Sequence, residues 1–237
     1  ILGAYYLTME VEGEPGEGNY FASPEEAIIA YENKDLGMHA KIKVKIFKNI
    51  NGEEKIGTVE TTVGRLIYNE GIPQDLGFVD RSKPENMFEP EINFTVTKKN
   101  LGKIIAKSIN THGLSETAIL LDYIKSTGYK YSTIGAITVS VSDVKVPEAK
   151  KTILEEANKQ IDTIRKQYKR GLITNDERYN AVIKVWSKAT DDVKDAMKDN
   201  FEKLNPVYMM SESGARRKLR PIKTNCRYAW TYGKYNR

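Results

Sequence analysis

The stretch QYKRGLITNDERYNAVIKVW (167–186) holds the join between two helical patterns. Before it, apolar residues fall at Ile153, Ala157, Ile161, Ile164 and Tyr168. After it they fall at Tyr179, Val182, Trp186, Ala189, Val193 and Met197. Steps of three and four residues put each set on one narrow seam of an α-helix. Gly171 can close the first helix in a left-handed turn. Thr174 can cap the second, with Glu177 completing a capping box. The pattern predicts helices over 148–170 and 175–200, joined by GLIT (171–174) and therefore antiparallel. At ~1.5 Å per residue they make a rod roughly 35 Å long. Such a hairpin is either a packing element or a docking arm with its tip at 171–178.

Upstream the pattern is different. Ser23-Pro24-Glu25-Glu26 predicts a capped helix start. KIKVKIF alternates, with Ile42, Val44 and Ile46 on one face and Lys41, Lys43 and Lys45 on the other, which predicts a half-buried strand. Asn51-Gly52 signals a turn into a second strand over about 56–64. Residues 72–94, with Pro73, Pro84 and Pro90, read mostly as loop. Two short helices are expected over 101–113 and 116–130. The second carries Ala118, Leu121, Ile124 and Lys125 at helical spacing and has Gly128 as its C-terminal cap. ITVSVSDVKVP (137–147) alternates like another strand. The fold class expected is α+β: a body of short strands and helices followed by a long antiparallel helical hairpin.

The 237 residues suffice for one large domain or two smaller ones. No apolar run approaches the ~20 residues of a membrane helix, and the N-terminal stretch does not read as a signal peptide. A single cysteine suits a reducing, cytoplasmic setting. The net charge of +5 is unevenly placed: the last 21 residues contribute +7, leaving the other 216 at −2. Any argument from basicity to nucleic-acid binding therefore rests on the tail.

No enzyme signature appears. In GEPGEG (13–18) the carboxylates of Glu14 and Glu17 would repel phosphate, so a flexible loop is the expectation. His39 and His112 lack ligands at metal spacing and read as structural. Asp122 and Asp143 read as caps or turn residues, and Asp191-Asp192 as a solvated face. The lysine face at 41–45 reads as an exposed face that could also meet RNA.

Eight segments in order resemble the large β′ subunit family of bacterial DNA-dependent RNA polymerase. They are LGAYYLT (2–8), FASPEEA (21–27), LGMHAKIKVKI (36–46), TTVGRLIYNEGIP (61–73), LLDYIKSTGYK (120–130), ITVSVSDVKVPEAK (137–150), QYKRGLITNDERYNAVIKVW (167–186) and NPVYMMSESGAR (205–216). The resemblance implies that 1–146 forms the pore region, that 147–204 forms the helical hairpin at the rim of the secondary channel, and that 205–216 begins the next region. It implies nucleotide entry through that channel and docking of transcript-cleavage factors at the tip: Gly171, Leu172, Ile173, Thr174, Asn175, Asp176, Glu177 and Arg178. Ser213, Gly214, Ala215 and Arg216 would support the moving loops of the active site.

Implied partners are the β, α, ω and σ subunits, template DNA, the RNA transcript and nucleoside triphosphates. The resemblance gives the whole subunit Mg²⁺ and Zn²⁺. It places the aspartate-rich Mg²⁺ loop upstream of residue 1 and the bridge helix and trigger loop downstream of this chain. No catalytic residue, metal ligand or cofactor is therefore expected within it, and the chain by itself is expected to be inactive.

The family continues SGAR with G-N-x-x-Q-x-R-Q-x-A-G-M-R-G-L-M-A, whereas this chain has RKLRPIKTNCRYAWTYGKYNR (217–237). Read one base later, codons for those residues can spell G-N-F-V-Q-L-R-Q-T-A-G-M-R-G-L-M-A-N-T-T-G. Residues 217–237 are thus expected to be an out-of-frame tail. Two other readings stand beside this one: a free-standing helical-hairpin interaction module, and a basic-tailed nucleic-acid-binding protein.

Overall fold

Three short strands form the only sheet among the described residues, in the order β1 (Tyr20–Phe21), β2 (Ile42–Ile50), β3 (Glu53–Thr61). The computed structural model describes residues 1–216 apart from 51–52, 84–85 and 144–146. The Asn51-Gly52 turn and the out-of-frame reading of the tail therefore lie outside the described residues. β2 and β3 pair antiparallel, with Ile42 opposite Thr61 and Phe47 opposite Ile56. β1 joins the other edge of β2 in parallel, Tyr20 beside Lys43 and Phe21 beside Val44. The alternation of β2 is obeyed: Ile42 and Val44 are buried, Lys41 and Lys43 exposed.

The chain divides into two units, one formed by Ile1–Thr138 with Met209–Arg216 and the other containing Val139–Tyr208. The first unit packs α1 (Leu2–Thr8), α2 (Pro24–Glu32), α3 (Val63–Asn69) and α4 (Lys98–Ile134) around two main cores. Ser23 caps α2 as expected, its hydroxyl accepting the Glu26 N–H at 3.2 Å. The second strand ends at Thr61, short of the expected 64. Thr62 instead caps α3 by accepting the Arg65 N–H at 3.3 Å.

α1 lies at the centre of this unit, and glycines let other backbones reach it. A Cβ on Gly3 would stand 1.9 Å from the Gly128 carbonyl oxygen of α4, and one on Gly64 would stand 1.9 Å from the Leu7 oxygen. Thr8 is buried, and its hydroxyl donates to Ala4 O at 2.8 Å and accepts from the Val96 N–H at 2.7 Å. Arg65 Nε donates to Thr8 O at 3.0 Å, while Nη1 pairs with Glu10 at 3.3 Å.

The described residues of 72–94 are irregular, as expected, but well anchored. Glu91 is buried, accepts the Phe78 N–H at 2.7 Å and pairs with Arg81 at 3.1 Å. The Asn69 side chain bonds both the N–H and the C=O of Ile92. Side chains supply the backbone partners that a sheet would otherwise provide.

Four expectations are corrected. GEPGEG is pinned, not flexible: Glu14 accepts the His39 N–H at 2.9 Å, Glu17 accepts the Gly13 N–H at 2.7 Å, and the Gly37 N–H donates to Pro15 O. The two helices expected over 101–113 and 116–130 are borne out: both lie within α4 and part at Gly113, where the backbone is non-helical (φ 77°). Gly128 does not end that helix, which runs to Ile134 and closes at Gly135. The close approach of α1 and α4 there depends on Gly3, whose Cβ would strike the Gly128 carbonyl, whereas a Cβ on Gly128 would meet nothing within 4 Å. The buried face of α4 also lies one step from the expected one. Leu120 and Ile124 are buried with Thr117, Thr127 and Tyr131, while Ala118, Leu121 and Lys125 are exposed.

The fourth correction concerns 137–147, where the described residues form no strand. Val141–Asp143 makes a 3₁₀ turn in which Asp143 accepts the Ser140 N–H at 2.6 Å. Serine and aspartate side chains satisfy the backbone locally in place of a ladder. In the second unit α5 (Ala149–Lys169) and α6 (Asn175–Asp199) pack side by side, burying Ala157 and Ile161 with Ala189, Val193 and Met197. α7 (Pro206–Glu212) leads back to Met209, which is buried against Tyr5 and Met9 of the first unit.

Candidate functional site

The hairpin tip is a closed turn with defined hydrogen bonds. The Leu172 N–H donates to Gln167 O at 3.1 Å and the Gly171 N–H to Tyr168 O at 2.9 Å, with Gly171 at φ +73°. This six-to-one and five-to-two pairing ends α5 and needs a residue at ease in the left-handed region. α6 then starts on a reciprocal capping box. Thr174 Oγ1 accepts the Glu177 N–H at 3.3 Å, and Glu177 Oε2 accepts the Thr174 N–H at 2.8 Å. The Thr174 N–H and the Thr174 hydroxyl, both donating to Oε2, hold the Glu177 carboxyl below its ordinary range. Asp176 and Glu177 also sit favourably in the positive first turn of α6.

Of the eight tip residues, six are exposed and two, Ile173 and Arg178, are half-buried. Leu172 is 69% exposed and Ile173 is half-buried. Gly171, Thr174, Asn175, Asp176 and Glu177 are exposed. Arg178 folds back, with Nη2 donating to Asn175 Oδ1 at 2.8 Å and the guanidinium 5.1 Å from the Tyr168 ring centre. It braces the turn. The seam itself stops short of the tip: Tyr168, Tyr179 (61%) and Ile183 are exposed, although their spacing placed Tyr168 and Tyr179 among the buried positions. These three exposed apolar side chains, together with Leu172, are the features of the tip that spacing does not reveal. Periodicity marks a face but not how far along the helix it is covered.

Ser213, Gly214, Ala215 and Arg216 form a turn after α7. Ser213 is buried, its carbonyl accepting the N–H of Lys98 at 2.8 Å at the start of α4 and its hydroxyl accepting the Ala215 N–H at 3.3 Å. Gly214 has φ +76°, and Arg216 is exposed. The turn thus touches the first residue of the longest helix. This turn belongs to the first unit and the hairpin tip to the second.

His39 is buried with neither ring nitrogen hydrogen-bonded, its ring edge-on to Tyr6 at 4.7 Å. Burial pushes its pKa down to about 4, against a smaller opposing influence of the Met9 backbone. His112 pairs with Asp75 at 2.7 Å. Asp122 pairs with Lys125. Among the described residues no three His, Cys, Asp or Glu side chains are grouped as a metal ion requires. No helix among them is long and apolar enough to cross a membrane.

Comparison with known proteins places this architecture. A family model described as RNA polymerase Rpb1, domain 3, matches residues 1–144, and one described as RNA polymerase Rpb1, domain 4, matches residues 173–223. The chain belongs to this family of large RNA polymerase subunits. It is 54% identical over 223 residues to the DNA-directed RNA polymerase subunit β′ of Clostridium kluyveri, and 53% identical over the same length to those of Acetivibrio thermocellus and Clostridium perfringens. Each match covers 94% of this chain and 19% of the relative, so the chain spans about a fifth of the length of those subunits.

Proposed function

We propose that this chain forms the wall and rim of the secondary channel in a DNA-dependent RNA polymerase, with a pore region over 1–146, the channel hairpin over 147–204 and a loop-supporting turn from 205 to 216. In this reading nucleoside triphosphates pass along the wall to an active centre whose Mg²⁺ is held elsewhere in the subunit. The chain alone does not polymerise. Its surroundings are the β, α, ω and σ subunits, template DNA and the RNA transcript. Ser213–Arg216 steadies the moving parts of the active site through its bond to the start of α4.

The observation that carries the reading is the hairpin tip. A rigid, doubly capped turn presents Leu172, Tyr179 and Ile183 on an otherwise charged rod. Exposed aromatic and aliphatic side chains on a preorganised turn suit a protein partner, because little ordering entropy is lost on docking. That partner is a transcript-cleavage factor entering the channel. The test is Leu172→Glu in an intact polymerase carrying this sequence, titrated with a labelled cleavage factor. A loss of about tenfold or more in affinity, ~1.4 kcal/mol, is expected; unchanged affinity overturns the assignment.

A further inference from the structure

The outer face of the β1–β2–β3 sheet is left unused by that reading. Residues that alternate to this face are Lys41, Lys43, Lys45 and Phe47 from β2, Ile56, Thr58 and Glu60 from β3, and Tyr20 from β1. Three of them are large, apolar and half-exposed or more: Tyr20 at 50%, Phe47 at 54% and Ile56 at 58%. Glu60 pairs with Lys41 at 3.4 Å and Lys43 at 3.5 Å, and these two lysines hold its carboxyl below the ordinary range. Glu54, opposite Asn49, falls on the same alternation of β3, so by register three lysines stand against two glutamates and the face keeps one net positive charge. Lys45 stands over the Tyr20 ring, 5.5 Å from its centre.

The spacing is regular. Tyr20 is paired with Lys43, and Phe47 lies four residues further along β2. With ~3.3 Å per residue along a strand and ~4.8 Å between strands, the two rings are rooted about 14 Å apart, with Lys45 between them. We infer that this face binds a short run of single-stranded nucleic acid, its bases stacking on Tyr20 and Phe47 and its phosphates meeting Lys41, Lys43 and Lys45. Basic side chains interleaved with aromatic rings on an open sheet are what sequence-tolerant single-strand binding uses. A protein partner is the weaker fit, because lysine is depleted at the centre of protein interfaces. The inference does not depend on what docks at the hairpin tip.

The test measures binding of a fluorescein-labelled twelve-nucleotide oligouridylate to the full 237-residue chain by anisotropy. The basic tail contributes equally to every variant, so differences report the sheet. Tyr20→Ala and Phe47→Ala are each expected to weaken binding by at least about fivefold, the low end of one lost base stack. Tyr20→Phe should stay within about twofold, because the ring is kept. Lys45→Gln should flatten the plot of log affinity against log salt by about 0.7, the share of one phosphate contact on a single strand. Both ring positions are solvent-exposed, and a thermal melt checks that each variant still folds. A second measurement cross-links a 4-thiouridine oligonucleotide to the unaltered chain and maps the adducts, which are expected within 20–60. Alanine variants that bind as well as the parent, or adducts confined to other segments, overturn the inference and leave the face to a protein cover.

Discussion

Two threonines represent the two units. Thr8 bonds the Val96 N–H, 88 positions away, and takes a bond on its carbonyl from Arg65. Thr174 finds its partner three positions away, in Glu177. The first unit is assembled from distant segments laid against α1, each needing the others in place. The hairpin is assembled from neighbours, with its turn and caps specified within about ten residues. One region therefore responds to a local change as a whole, while the other absorbs it where it occurs.

The sharpest way to break this contrast is Gly64→Val. A side chain there meets the Leu7 carbonyl at once, so the first unit should lose more than about 4 kcal/mol. Urea unfolding followed by near-UV circular dichroism reads the loss. The helical signal at 222 nm should fall only in part, because the hairpin does not use that contact; loss of all helical signal together would mean the units are not independent.

A smaller effect comes from pH. His39 is neutral in the fold, and burial lowers its pKa from 6.5 to about 4. Between those values the unfolded chain binds the proton and the folded chain does not, so stability is fully present above pH 6.5 and declines as pH falls towards 4. The loss is roughly 3 kcal/mol from this one group. Glu14, whose carboxyl burial holds above its ordinary value, acts in the opposite sense. Comparing the chain with His39→Leu at pH 7 and pH 4.5 separates the two. A variant with the same pH dependence as the parent removes His39 from the account.

The smallest effect expected is Thr174→Ala. Losing one cap should cost the hairpin about 1 kcal/mol and leave the first unit untouched, which two-wavelength melting would show.

The same contrast explains what could be read in advance. The hairpin was legible because its seam, glycine turn and capping box are all short-range, and α5 and α6 fall within a residue of the expected ends. β2 was legible because lysine and β-branched residues alternate across it. α1 and α3 carried no such signal: they are short, and their buried residues answer to partners far along the chain. Gly128 reads as a helix end because glycine is the usual stop signal, yet α4 runs through it to Ile134 and closes at the next glycine, Gly135. The stretch 137–147 has strand periodicity, but its described residues form a 3₁₀ turn over Val141–Asp143 held by serine and aspartate side chains. At the candidate site, the turn residues were legible while the exposure of Tyr168, Tyr179 and Ile183 was not, since spacing does not report where cover runs out.

One packing detail bears on how such a molecule can be altered. The chain leaves the first unit after Thr138 and re-enters it at Met209, and Ile137 and Met209 share one apolar cluster. The points of departure and return are therefore adjacent, and the Ser213–Lys98 bond seals the return. The intervening seventy residues form an insertion that a short linker could replace, a cassette that can be lengthened, shortened or exchanged without reopening the body that carries it.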